Sequence, residues 1–236
     1  MIFKQLVDSR TEVLGYLLGD PIGLEAVLID AVDDLAEDYP QLLRRFGLRL
    51  RYLAQTHKPE GHRSAAPVLR EETGARLAAS DKADWSVSDV ALRHGDRLHF
   101  GEETMEVLHV PGHTPCSVAF LWRDRLFTGH TLLAGRLGCP AQSGGDAEAL
   151  CANARRTLLG LADETLVFPG RRHRGRRVTT IAEERESNSD LAAGEACAEG
   201  LRRRCGSEPY PGWQGPQPSK SNESQRLQTG AGQQEF

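Results

Sequence analysis

Three short apolar stretches of the chain each run into a histidine, and this recurrence constrains the fold more than any other feature. The stretches and the residues at which they end are RLRYLAQTH at His57, MEVLHVPGH at His113 and RLFTGH at His130. A strand that ends in a histidine-bearing loop presents an imidazole at the edge of a sheet. Three such strands predict one convergent site. Imidazole is the commonest protein ligand for zinc and iron, so the pattern indicates a site with metal-binding character.

The rest of the hydrophobic pattern predicts strands and helices in two similar runs. Strands are predicted at 14–19, 26–29, 50–54, 75–79, 97–100, 103–110, 117–122, 125–128 and 166–168. Helices are predicted at 35–46, 65–72, 146–161 and 181–186, with Gly47 and Gly74 as stops for the first two and a glycine-rich loop over 129–145. This order predicts an α/β protein, specifically an αββα sandwich.

Composition excludes several classes of protein. The formal net charge of −4 argues against a nucleic-acid partner. No apolar stretch approaches the length of a membrane span, and the start of the chain lacks the long apolar segment of a signal peptide. Five cysteines without a CxxC pair argue against a disulfide framework. We therefore expect a cytoplasmic protein in a reducing compartment, with no membrane partner.

The character of the chain changes near its end. The segment GWQGPQPSKSNESQRLQTGAGQQEF is rich in Gly, Pro, Ser and Gln and has almost no aliphatic residues. Such a composition cannot bury enough apolar surface to offset the entropy lost on folding. We expect one folded domain over residues 1–190 and a disordered polar tail over residues 191–236.

Eight segments of the chain point to a known family. In order they are IFKQLVD, YLLGD, AVLID, QTHKPEGH, PGHTPCSVAFL, LFTGHTLL, VFPGRRHRG and IAEERESN. Together they resemble the metallo-β-lactamase superfamily and, within it, the persulfide dioxygenase (sulfur dioxygenase) branch related to glyoxalase II. The resemblance extends over the predicted domain and implies the αββα fold already expected from the pattern.

The chain departs from this family at its metal-binding motif. The superfamily signature His-x-His-x-Asp-His reads here as His57, Pro59, Gly61 and His62, so the second His and the Asp are missing. His113 is kept. His130 stands where the family has an aspartate, and Arg171 stands where it has its last histidine. A two-metal hydrolase site cannot be built from these residues.

The resemblance implies a different, one-metal site. Persulfide dioxygenases hold a single non-haem iron at positions that correspond here to His57, His113 and His130. We therefore expect one Fe(II) per chain, with zinc as the alternative metal, and a glutathione-like thiol or persulfide as the small-molecule partner. A homodimer is left open. The alternative is that His130 is an inert replacement in a site that no longer binds metal.

Three further residues are candidates for lining the site. They are His62, Cys139 and Arg171. Cys139 is either a reactive thiol near the site or a partly buried, inert cysteine. Arg171 excludes a second metal by its charge, because a guanidinium is always protonated and cannot be a ligand. It either binds an anion or belongs to a solvated basic loop, RRHRGRR.

Three functions remain in view. The first is a persulfide dioxygenase-like enzyme that oxidises glutathione persulfide, or a related persulfide, to sulfite. The second is a pseudoenzyme that keeps the fold for thiol or partner binding. The third is a glyoxalase II-type thioester hydrolase, which is disfavoured because Pro59, Gly61 and Arg171 replace ligands of the hydroxide-generating metals.

Overall fold

Two six-stranded sheets form the centre of the molecule. The computed structural model describes residues 1–8, 10–59, 64–140 and 144–207. The first sheet takes its strands in chain order: β1 Ile2–Val7, β2 Leu14–Asp20, β3 Glu25–Ile29, β4 Arg49–Ala54, β5 Arg76–Ser80 and β6 Val90–Leu92. Strands β3 to β6 are parallel to one another, so their carboxyl ends share one edge of the sheet.

The second sheet is mostly antiparallel. Its strands are β7 Arg97–Phe100, β8 Glu103–His109, β9 Val118–Trp122, β10 Arg125–Gly129, β13 Leu166–Pro169 and β14 Thr179–Thr180, in the spatial order β14-β13-β10-β9-β8-β7. A small hairpin of β11 Leu132–Leu133 and β12 Arg136–Leu137 follows β10. It lies where the sequence predicted only loop.

Helices cover the outer faces of both sheets. They are α1 Tyr39–Phe46, α2 Ala66–Thr73, α3 Ala147–Asn153, α4 Ile181–Ser187, α5 Ser189–Ala192 and α6 Cys197–Ser207. One π-helical turn, Ala154–Leu158, continues α3, and short 3-10 turns lie at Asp33–Leu35 and Gly194–Ala196. The predicted αββα sandwich is confirmed. Gly47 and Gly74 end α1 and α2 in the left-handed conformation, as predicted.

Three apolar layers hold the sandwich together. The inner layer lies between the sheets and is dominated by aromatic side chains, including Tyr16, Phe100, Phe120, Trp122 and Phe127. Each such side chain contributes roughly 1.5–3 kcal/mol by leaving water. A second layer lies between the first sheet and helices α1 and α2, and a third lies between the second sheet and helices α3 to α6.

The disordered tail predicted from residue 191 is wrong for residues 191–207. Leu191, Cys197 and Leu201 are buried in the same apolar layer as Leu150 and Ala154 of the α3 region. Composition misled the prediction because the few large apolar residues of this polar segment, Leu191 and Leu201, are both buried together with Cys197. Residues 208–236 lie outside the described residues.

The absence of a disulfide framework is also contradicted. Cys139 is bonded to Cys205, and Cys151 is bonded to Cys197. Both bonds join α6 to segments that precede it by more than 40 residues, so no short-range spacing marks them. Of the helices in the described ranges, none is both long enough and apolar enough to cross a membrane.

Acid should weaken the fold through Glu103, whose carboxylate accepts a 2.8 Å bond from Trp122 Nε1 and pairs with Arg123. The Arg123 guanidinium holds the pKa of Glu103 below its usual value, against the opposing effect of burial. A carboxyl with a lowered folded-state pKa stabilises the fold fully above the unfolded-state pKa, and this contribution is lost as the pH falls through the folded-state pKa. Glu103→Gln should therefore flatten the pH dependence of the unfolding free energy below about pH 5. Denaturant titrations across that range test this, with exposed Glu186→Gln as the control; an unchanged slope in Glu103→Gln would contradict it.

Candidate metal centre

The fold brings His57, His113 and His130 together from both sheets. His57 follows β4, at the shared carboxyl edge of the parallel strands. Strands β8 and β10 are both antiparallel to β9, which lies between them, so they run in the same direction. The loops that follow β8 and β10 therefore meet at one edge, and they carry His113 and His130. The convergence predicted from the sequence is thus a consequence of strand direction.

The three imidazoles form a compact, buried group. Ring centroids are separated by 5.0 Å for His57 and His113, 4.8 Å for His57 and His130, and 5.1 Å for His113 and His130. One nitrogen from each ring can be chosen so that all lie within 4.8 Å of one another. Each residue is 6–7% exposed. Nitrogens this close can share one metal ion without a large movement of the backbone.

A hydrogen-bonded chain from the first sheet orients His57. Thr56 Oγ1 lies 2.7 Å from Asp30 Oδ2 and 3.0 Å from His57 Nδ1. Burial raises the pKa of Asp30 to about 6, and its Oδ2 accepts the hydrogen bond from the Thr56 hydroxyl. The Thr56 hydroxyl must then donate to Asp30 and accept from Nδ1–H of His57. This tautomer puts the lone pair of His57 on Nε2.

His113 is oriented by a backbone group. Its Nδ1 lies 2.5 Å from the carbonyl oxygen of Cys139. Because a carbonyl can only accept, Nδ1 carries the proton and Nε2 carries the lone pair. Histidine ligands of metals characteristically donate their second N–H in this way, which fixes the ring and raises its basicity.

Glycines allow the loops around His130 to approach closely. A Cβ on Gly138 would lie 1.8 Å from the carbonyl oxygen of His130. Gly129 has a φ of +51°, and a Cβ there would lie 2.3 Å from Thr56 Oγ1. Both positions therefore need glycine, and the missing side chains let the His130 loop lie against the loop of His57 and the segment before Cys139.

The donor set fits one late first-row metal ion. Three neutral imidazoles suit iron or zinc, and the burial of the group removes competing water. The ring orientations of His57 and His113 are held before any ion arrives. As expected from the sequence, His130 stands where the resemblance places an aspartate, so these three donors include no carboxylate.

The other three residues expected to line the site are Cys139, His62 and Arg171. Cys139 is half-buried and disulfide-bonded to Cys205, so of the two alternatives left open for it the free reactive thiol is not the one the structure has; its carbonyl lies against His113. His62 lies outside the described residues. Arg171 is half-buried and forms an antiparallel bridge with Val13. It follows Gly170, whose N–H donates to the carbonyl of Gly129, so its backbone lies at the same edge as His130.

Sequence reasoning missed Thr56 and Asp30. Ile29 and Ala54 are paired at the ends of the parallel strands β3 and β4, and Asp30 and Thr56 come just after them. A carboxylate and a hydroxyl that follow neighbouring parallel strands would be expected to meet at the sheet edge. The segments AVLID and RLRYLAQTH therefore predict the contact between Asp30 and Thr56 once their two strands are known to be neighbours in the sheet.

Removal of the Thr56 hydroxyl should weaken metal binding. Thr56→Val keeps the branched shape but leaves His57 Nδ1 without its acceptor, and losses of this kind typically cost about 10–100-fold in metal affinity. Competition for Fe(II) with a chromophoric chelator measures the effect. Thr56→Ser keeps the hydroxyl and is the matched control. Equal affinities for the Val and Ser variants, both shown to be folded, would contradict the orienting role.

Comparison with known proteins gives the site a context. No protein-family model matches the chain. The mitochondrial persulfide dioxygenase ETHE1 of Bos taurus is 33% identical over 199 residues, which cover 81% of this chain and 76% of the relative. The crystal structure of ETHE1 from Myxococcus xanthus matches with a TM-score of 0.84 and 37% identity, over 90% of this chain and 94% of that one.

A second solved structure of similar fold holds metal ions. TTHA1623, crystallised in a di-iron-bound form, is 30% identical with a TM-score of 0.65, over 79% of this chain and 98% of that one. Solved metallo-β-lactamases share the same fold. On the identity to ETHE1 and the coverage of its length, the chain belongs to the persulfide dioxygenase branch of the metallo-β-lactamase superfamily.

Proposed function

We propose that this protein is a persulfide dioxygenase that holds one Fe(II) ion at His57, His113 and His130. One observation carries the proposal: three buried imidazoles converge within 4.8 Å in a chain that is about one third identical to persulfide dioxygenases. Zinc is the alternative occupant. The substrate is glutathione persulfide or a related low-molecular-weight persulfide.

The proposed reaction is balanced without a further reductant. Glutathione persulfide, O₂ and water give glutathione and sulfite, and four electrons pass from the outer sulfur to O₂. The bond between the two sulfurs breaks, and the inner sulfur leaves as the thiol. Bound iron supplies open positions at which a persulfide sulfur and O₂ can be brought together.

The residues of the chain prepare the site for this chemistry. Thr56 and the Cys139 carbonyl fix the rings of His57 and His113, so little reorganisation is needed when the metal binds. The half-buried Arg171 contributes positive charge at the same edge of the sheet. In this proposal it attracts the anionic substrate, either through the persulfide or through a glutathione carboxylate.

His130 changes the charge of the centre relative to the family pattern. Three neutral imidazoles leave Fe(II) with one more unit of positive charge than two imidazoles and a carboxylate do. With iron bound at these three residues, the extra charge would raise the reduction potential of the metal and would disfavour O₂ activation. An anionic persulfide offsets part of this effect, so the proposed enzyme depends on bound substrate more strongly than one with a carboxylate ligand.

The same site does not support a hydrolase of the glyoxalase II type. Hydrolysis in that class needs a hydroxide held by two metals. Pro59 cannot be a metal ligand through its side chain, and Arg171 replaces the last histidine with a permanent cation. The oligomeric state and the cytoplasmic location expected from the sequence remain predictions.

The first test of the proposal is whether the protein binds a metal ion at these three histidines. Anaerobic reconstitution with Fe(II) should give about one iron per chain in the wild type, and His130→Ala should lose most of it. His99 is exposed on β7 and provides the matched control, since His99→Ala should bind iron as the wild type does. A wild-type protein that retains neither iron nor zinc would overturn the proposal and favour a pseudoenzyme.

Activity should respond to the charge at position 130. In His130→Asp the carboxylate restores the family donor set, so O₂ uptake with glutathione persulfide should increase over the wild type. An oxygen electrode and a sulfite assay on iron-loaded protein measure this. Iron-loaded His130→Asp protein that consumes no O₂ in the presence of persulfide would contradict the proposed reaction.

A further inference from the structure

Both ends of helix α6 are tied to the surroundings of the histidine site. Cys197 begins the helix and is bonded to Cys151 in α3. Cys205 lies near its other end and is bonded to Cys139, whose carbonyl holds His113. The second bond thus joins a helix far along the chain to the backbone group that orients a candidate metal ligand.

The two disulfides differ in accessibility. Cys151 and Cys197 are 4% and 1% exposed, so a small nucleophile cannot reach their sulfurs without unfolding. Cys139 and Cys205 are both half-buried. Thiol–disulfide exchange requires direct attack of a thiolate on a sulfur, so it should begin at the Cys139–Cys205 bond.

Arg204 makes the two sulfurs of this bond unequal. Its Nη1 lies 3.7 Å from Cys139 Sγ, while its Nη2 donates to the carbonyl of Leu137 and pairs with Asp190 at 2.9 Å. A guanidinium beside Cys139 stabilises the negative charge that develops on that sulfur as it leaves. The favoured attack is therefore on Cys205, with Cys139 as the leaving thiolate.

Movement of residues 137–139 would displace groups that contact His113 and the backbone of His130. Besides the bond from His113 to the Cys139 carbonyl, the N–H of Gly138 donates to the carbonyl of Thr131 at 3.2 Å. Gly138 also lies directly against the carbonyl of His130. The short segment 137–139 is thus fixed on one side by α6 and touches the loops of two candidate ligands on the other.

We propose that the Cys139–Cys205 disulfide is an exchange site for low-molecular-weight thiols and persulfides, and that opening it weakens the metal centre. A thiolate RS⁻ bonds to Cys205 Sγ, and the bond between the protein sulfurs breaks to release the Cys139 thiolate. A second thiolate takes RS from Cys205 as RSSR, so two thiols are oxidised and the protein disulfide is reduced. The effect on the metal rests on the three-histidine centre proposed above.

The consequence is that the concentration of thiols would regulate the metal affinity of the site. The proposed reaction yields a thiol, and the released α6 end no longer holds the Cys139 carbonyl against His113. Reducing conditions would then lower metal affinity, and oxidising conditions would restore it. In the reducing compartment expected from the sequence, this half-buried disulfide would be the first to open.

The exchange step is tested by mass spectrometry after glutathione treatment and alkylation. Cys139 should be alkylated and Cys205 should carry glutathione while Cys151 and Cys197 stay bonded. Arg204→Gln should slow the exchange by about threefold or more, because the leaving thiolate loses its cation. Arg203→Gln is the matched control on the exposed side of α6 and should not slow it. Reduction of the buried bond first, or glutathione only on Cys139, would overturn the assignment.

The link to the metal is tested with paired cysteine variants. Cys139→Ser with Cys205→Ser should lower Fe(II) affinity by about tenfold, the low end of what loss of a ligand's hydrogen-bond partner costs. Glutathione should have no further effect on that variant. Cys151→Ala with Cys197→Ala removes the other bond to α6 and should keep wild-type affinity. Equal affinities for the two double variants would contradict the link.

A measurement on the metal-free protein separates this inference from the proposed function. The Nδ1–H of His113 should give a slowly exchanging NMR resonance that disappears when Cys139–Cys205 is opened. If the wild type binds no metal but this resonance responds, the metal centre fails and the mechanical link stands. If iron binds and the resonance does not respond to reduction, the link fails and the metal centre stands.

Discussion

The two sheets are joined at Thr56, and the candidate site depends on this junction. The backbone N–H and the hydroxyl of Thr56 both bond to Asp30 in the first sheet, at 2.8 and 2.7 Å. Its carbonyl accepts a 2.7 Å bond from the N–H of Val118 in the second sheet. The same hydroxyl contacts His57 and occupies the space that a side chain at Gly129 would need. One residue therefore bonds to both sheets and also contacts a candidate ligand.

The second constraint comes from the C-terminal helix. Helix α6 buries Leu201 and Cys197 against the second sheet's outer layer, and its two disulfides hold it at both ends. Through Cys139 it reaches the imidazole of His113. His57 is thus held from the first sheet and His113 from the far end of the domain. Of these two supports the second contains the half-buried Cys139–Cys205 disulfide, so the proposed exchange would act on one side of the site without loosening the other.

The electrostatics of the site distinguish it from the pattern of its family. His130 removes a negative charge from the donor set, and Arg171 adds a permanent positive charge at the same sheet edge. In the proposed site, both changes would work against a second metal and in favour of an anionic ligand. A persulfide is anionic and binds through sulfur, so it suits a more positive centre than a neutral thioester would.

The sequence by itself determined the sandwich and the three histidines, because both follow from local patterns: apolar runs that form strands, and the residues at which those runs end. The sequence did not predict the contacts between residues that lie far apart along the chain. Asp30 lies 26 residues from Thr56, His113 lies 26 residues from the Cys139 carbonyl, and Cys139 lies 66 residues from Cys205. Local composition cannot encode such contacts, and it led us to expect disorder where α6 folds. Only the tertiary structure decided which groups orient His57 and His113, since strand direction and helix docking bring those groups together.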